Sequence, residues 1–143
     1  MNKKYELLKD DTVTYFGRTL YRIKATTDFG YVKKGELGGY IEKEVNLSHH
    51  GYAWVSDDAM VFGNARVFGI ARVGSEKDYI VFKNSWSSFR WFTYTKSNKM
   101  WRVGCFYGSG EELIAKAYQD SEQSGKCYEA YVNLVLELEK LDD

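Results

Sequence analysis

The sequence predicts a mainly β fold of the α+β kind: a short parallel β-helix flanked by an N-terminal β-hairpin and by a C-terminal β-hairpin with two α-helices. Three observations lead there. Valine recurs at Val55, Val61, Val67 and Val73, and alanine at Ala59, Ala65 and Ala71. A six-residue period fits neither an isolated helix nor an alternating strand, and it is the period of hexapeptide repeats that wind into stacked triangular coils. Aromatic and β-branched runs flank this stretch, broken by Gly, Asn and Ser, which is the pattern of hairpin strands. Downstream, Ser109-Gly110-Glu111-Glu112 forms a capping box in front of a helical apolar stripe.

Three units follow in chain order. Residues 1–40 hold a hairpin and a Gly-rich loop: Val13-Thr14-Tyr15 and Thr19 through Ile23 are strands around a turn at Phe16-Gly17. Gly30, Gly35, Gly38 and Gly39 read as positions of positive φ or close backbone approach. A phosphate loop is disfavoured there, because no Gly-Lys-Ser/Thr and no helix follow. Residues 41–75 are the hexad segment. Ile41, Leu47 and Ala53 carry the spacing of six faintly before Val55, but extending the strong register backward puts His49 and Lys43 in the inward slots. The clear hexads therefore amount to about one coil, which cannot bury its own ends. The flanking units or another subunit must cap it.

Residues 76–143 form the last unit. Asp78 through Phe82, Phe89 through Thr95 and Met100 through Phe106 are strands, the latter two joined across Ser97-Asn98. Apolar side chains fall on both faces, Trp91 on one and Phe92 and Tyr94 on the other, which calls for cover on both sides. A helix from Ser109 carries Leu113, Ile114, Ala117 and Tyr118 and ends at Ser124-Gly125. A second, from about Lys126 to Leu141, buries Tyr128, Tyr131, Val132, Val135 and Leu138.

Lys plus Arg equals Asp plus Glu at 20 each, so the basic excess of a duplex-DNA binder is missing. Aromatics reach 17%, enough for a dense core, a sticky surface or both. Two cysteines without metal-type clustering, a polar start and no apolar run of membrane-spanning length point to a reduced, cytoplasmic protein.

The chain resembles a family of phage and prophage proteins. The likeness rests on Gly17-Arg18-Thr19-Leu20-Tyr21-Arg22-Ile23, on the loop from Asp28 to Gly39, on Asn46-Leu47-Ser48, on the repeats from Trp54, and on Gly104-Cys105-Phe106-Tyr107-Gly108-Ser109. It spans essentially the whole chain. It implies that the β-helix is left-handed and that the protein works in a bacterial host, and it carries no established reaction.

Hexapeptide β-helices are best known from acyltransferases that use a catalytic His. Only His49 and His50 are available here, and turn or cap roles outweigh a general base. Cys105 reads as a buried strand thiol rather than a nucleophile, and Asp57-Asp58 as a solvated corner rather than a metal site. Neither a catalytic set nor a metal or cofactor site is expected. Two binding functions remain. In the first, a homo-oligomer (dimer or trimer) contacts a host protein, including a defence complex, through exposed Trp54, Phe62, Phe68, Trp86, Trp91 and Trp101. In the second, the protein is a sponge for a nucleotide-like signal, using aromatic stacking with Arg66, Arg72, Arg90 or Arg102. Direct nucleic-acid or membrane binding is not expected.

Overall fold

The computed structural model describes residues 3–141, apart from the side chain of Glu76. Ten strands and two α-helices run in the order β1 (Tyr5–Tyr15), β2 (Arg18–Ala25), β3 (Leu37–Ile41), β4 (Trp54–Val55), β5 (Met60–Val61), β6 (Arg72–Val73), β7 (Tyr79–Lys83), β8 (Trp91–Thr95), β9 (Met100–Val103), β10 (Phe106–Ser109), α1 (Gly110–Asp120) and α2 (Glu122–Leu141). They make a four-stranded sheet β1-β2-β3-β5, a four-stranded sheet β10-β9-β8-β7 and a two-stranded pair β4-β6. No helix among the described residues is long and apolar enough to cross a membrane.

The hexad valines do not stand as a single layer. Val61 pairs in parallel with Ile41, Val67 with Leu47, and Val73 with Val55, and all six side chains are fully buried. Inward positions thus run 41, 47, 55 and then 61, 67, 73. The first set hides in the sequence because the step from Leu47 to Val55 is eight residues, two more than the hexad. The extra residues fall in the corner that holds His49, His50 and Gly51. Ala53, Ala59, Ala65 and Ala71 fill the space two positions before each inward valine. Buried Asn46 closes another corner, with Nδ2 donating to the carbonyls of Gly63 and Ala65 at 3.2 and 2.9 Å. Gly38 and Gly39 need their missing side chains: a Cβ on either would stand 2.5 Å from a backbone carbonyl, Val55 or Ala59 respectively.

The caps come from the chain itself. Tyr5, Ile23, Ala25 and Val32 join the hexad core from the N-terminal unit, and Tyr79 and Val81 pack on it from β7. The other face of β7, Ile80 and Phe82, joins Phe92, Tyr94, Trp101 and the buried faces of α1 and α2 in a second core. The second sheet is therefore covered on both sides, as its two-faced apolar pattern requires.

Several boundaries differ from the sequence-based expectation, and β8 starts only at Trp91. The third long strand is cut at Gly104, whose φ of +56 turns β9 into β10, so Cys105 is exposed in a turn and not buried in a strand. The first helix stops at Asp120, because Ser121 is extended and its Oγ caps the next helix by accepting from Ser124 N at 3.0 Å. Gly125 then lies inside α2, where its bare Cα admits the Tyr118 ring. Leu138 is exposed, since the face of α2 that meets the sheet runs through Tyr128, Val132 and Val135.

Lys4 sits under the extended corner. Its Nζ donates to the Ala53 carbonyl at 2.7 Å and lies 4.7 Å from the centre of the Phe29 ring. Burial pulls its pKa down to about 8. Above that value the folded chain releases a proton that the unfolded chain keeps until about pH 10.4, so stability increases with pH across this window. Burial raises the pKa of Tyr5 and Tyr94, with Glu44 and Glu139 adding to it, so these phenols oppose further gain once free tyrosine ionises near pH 10. Denaturant melts between pH 7 and 10 are expected to show stability rising by about 1–3 kcal/mol, and Lys4→Met should flatten the rise. A flat wild-type profile would contradict the buried ammonium.

Candidate functional site

The hexad corners are fastened to the second sheet by two matched hydrogen bonds. Arg66 N donates to Thr93 Oγ1 at 2.9 Å, and Arg72 N donates to Ser97 Oγ at 2.7 Å. The first of these brings the Arg66 corner alongside β8 and β9. There a hollow of about 380 Å³ is lined by Asn64, Arg66, Phe68, Arg90, Trp91, Arg102 and Gly104. Three arginines line it, and no carboxylate among the described residues does.

Each arginine is placed differently. Arg102, on β9, lays its guanidinium over the Phe68 ring, 4.1 Å from the centroid. This holds the planar group flat and leaves its N–H edge free for an acceptor. Arg90 precedes β8 and is exposed, with Nη1 3.4 Å from where a Cβ on Gly104 would stand. Arg66 is half-buried, and its Nη1 is withdrawn from solvent without a hydrogen-bond partner among the described residues. A buried, unmatched charged donor is unfavourable, and three like charges in one concavity add repulsion. Such a cluster makes chemical sense with an anion. Planar five-donor forks suit phosphate or carboxylate oxygens, and Trp91, 46% exposed, supplies a flat wall beside them.

Other residues expected at a site lie elsewhere. Trp54 and Trp101 are buried and serve the two cores, so neither is a surface anchor. Trp86 is half-buried, its Nε1 donating to Ser124 Oγ at 3.0 Å and its ring edge-on to Tyr128. Phe62 and Phe68 do face out of the hexad core but are covered by the chain, and of the two only Phe68 lines the hollow. Tyr15 meets Phe62 edge-on at 5.5 Å, and Arg102 and Tyr107 cover Phe68. Arg72 does not join Arg66; its guanidinium packs over the Tyr31 ring at 4.9 Å.

His49 is committed to the fold. Its Nδ1 accepts from Lys4 N at 3.1 Å, its Nε2 meets a Glu44 carboxylate oxygen at 2.8 Å, and its ring stacks on Tyr5 at 4.0 Å. Asp58 pairs with Arg22 at 3.2 Å, while Asp57 lies exposed beside it. No group of three or more His, Cys, Asp or Glu poised for a metal occurs among the described residues.

One surface escaped the sequence reading. Tyr31, Tyr52 and Ile70 are 83%, 57% and 64% exposed, and with Gly30 and Arg72 they border a hollow of about 500 Å³. Each follows a glycine of positive φ, at Gly30, Gly51 and Gly69. A large apolar residue directly after a turn glycine was the available signal.

The chain matches no protein-family model and no curated protein sequence.

Replacing Arg66 by Met keeps the packing of the stem and removes the unpaired charge. Arg66→Met is expected to raise the melting midpoint by several degrees. Sulfate at constant ionic strength should stabilise the wild type and leave the variant unmoved, as measured by differential scanning calorimetry. A lower midpoint in Arg66→Met would mean that the charge is already compensated.

Proposed function

We propose that this chain is a non-enzymatic binding protein that holds a phosphate-bearing small molecule between Arg66, Arg90 and Arg102. The carrying observation is that these three arginines line one hollow that no carboxylate among the described residues borders, with Arg66 Nη1 buried and without a hydrogen-bond partner among those residues. The expected signal sponge takes this form. Of the two histidines that acyl-transfer chemistry could use, His49 is already committed to Lys4 N and Glu44, which favours binding over catalysis, while His50 is exposed. We further read the three parallel pairings as two stacked turns of a short left-handed β-helix. This scaffold, the phage resemblance and a bacterial cytoplasmic setting are consistent with a small sequestering protein.

Isothermal titration with pyrophosphate tests the proposal. Arg66→Gln and Arg102→Gln should each weaken binding by about tenfold or more, since a charge-assisted hydrogen bond contributes about 1.5–3 kcal/mol. Rising salt should weaken binding too. Absence of heat up to millimolar pyrophosphate, or equal affinity in the variants, would overturn it.

A second reading, contact with another protein, is favoured by the exposed Tyr31, Tyr52 and Ile70 beside Arg72. Tyrosine and arginine are enriched at the centres of protein interfaces. On this reading the patch meets a host protein complex, and a homo-oligomer of this chain displays several copies of it. A Tyr52→Ser, Ile70→Glu double variant should then lose the partner captured from the host while still binding pyrophosphate. Recovery of the same partner by both proteins would remove this surface from consideration.

A further inference from the structure

We infer that the arginine hollow is one end of a longer cleft and that its ligand is a nucleotide, with phosphates among the arginines and with sugar and base in a second lobe. The inference rests on the anion-binding reading above. A second hollow, of about 350 Å³, lies across Arg90 and Gly104, and these two residues line both cavities. Gly104 contributes no side chain to the shared wall. The partition is therefore mainly the exposed Arg90 side chain, which can turn to either lobe. Each hollow alone lies near the bottom of the ~300–1,000 Å³ range of small-molecule sites, and together they reach its middle.

The two lobes differ in chemistry in the way a nucleotide does. The first carries positive charge. The second has an apolar floor of Val103, Phe106, Leu113 and Tyr128, with Ser88, Lys116 and Asp120 at its rim. Asp120 pairs with Lys116 at 3.2 Å, so the rim adds little net charge, and its carboxylate disfavours a phosphate on that side. The same carboxylate and the Ser88 hydroxyl are acceptors suited to ribose hydroxyls. Arg90, between the lobes, stands where the phosphate ester joins the sugar. A bare polyphosphate would fill the first lobe and leave the apolar floor uncovered.

Cys105 gives a direct readout, because it is exposed and lines only the second lobe, whereas the half-buried Cys127 lines neither. The experiment compares ADP with pyrophosphate by titration and by the rate of iodoacetamide modification at each cysteine, read by peptide mass spectrometry. ADP should bind about tenfold or more tightly than pyrophosphate and should slow modification of Cys105 severalfold, with Cys127 unaffected. Pyrophosphate should leave Cys105 reactive. Cys105→Trp, a change in an exposed turn, should bring ADP affinity down to that of pyrophosphate without altering the latter. Equal affinities with Cys105 equally reactive would overturn the inference and leave the anion site standing. Failure of both ligands to bind would remove both.

Discussion

Everything in this fold depends on one layer of hexad residues lying on another. A single set of three hexad valines has no neighbouring layer to keep water from its inward side chains. Here Val61, Val67 and Val73 rest on Ile41, Leu47 and Val55 through parallel backbone pairing. Burying one such side chain contributes about 1.5–3 kcal/mol, so the stacked pair of layers is a substantial part of what a chain of this size can gather. The two layers still have open ends. Tyr5 with Ile23 and Ala25, and Tyr79 with Val81, cover them from either side of the sequence. A strand hairpin before the repeats and a strand after them are thus demanded by the repeat itself.

That requirement also explains where the charge sits. β7 has to face the hexad core with Tyr79 and Val81, so Ile80 and Phe82 must be buried on the reverse, and α1 and α2 supply that cover. Once the sheet is pinned in this way, Arg90 at the entry to β8 and the neighbouring strand β9 lie beside the Arg66 corner. Thr93 fixes the spacing by accepting from the Arg66 backbone. The arginines are neighbours because two cores share a sheet, although they are far apart along the chain. Arg66 and Arg102 are set by backbone that the Thr93 contact and the β8–β9 pairing fix, and the exposed Arg90 side chain stands beside them.

The sequence made the chemistry of each segment legible and left the distances between segments obscure. The hexads from Val55 onward, the Phe16-Gly17 turn, the close-packed Gly38 and Gly39 and the Ser109 capping box are all local patterns, and the structure agrees with each. The first hexad layer was concealed by two residues. Counting back in sixes from Val55 lands on His49, but the eight-residue step shifts the inward positions to Leu47 and Ile41 and frees His49 to stack on Tyr5. Tryptophans misled in a related way. A large ring in a polar context reads as a surface anchor, yet Trp54 and Trp101 are what the two cores are built from. Arg66, Arg90 and Arg102 were each recognisable as anion-type residues, whereas their meeting depends on the parallel pairing and on the Thr93 contact. No local pattern encodes that.

The arrangement also bears on why Arg66 and Arg72, equivalent in the repeat, have separate fates. Both offer a backbone N–H to a hydroxyl of the second sheet, so the repeat positions their main chains alike. Their side chains meet different neighbours one corner apart. Arg72 lies over the face of the Tyr31 ring and stays exposed, so water solvates its charge. Arg66 is set beside Arg90 and Arg102 and keeps a nitrogen out of solvent without an acceptor among the described residues. Equal repeat positions with unequal electrostatic satisfaction mean that the unmet charge does not come from the repeat. It comes from the second sheet being laid against this corner, and the fold could relieve it with a single carboxylate at Asn64 or Trp91. Both positions are instead occupied by an amide and a flat aromatic ring, neither of which carries negative charge.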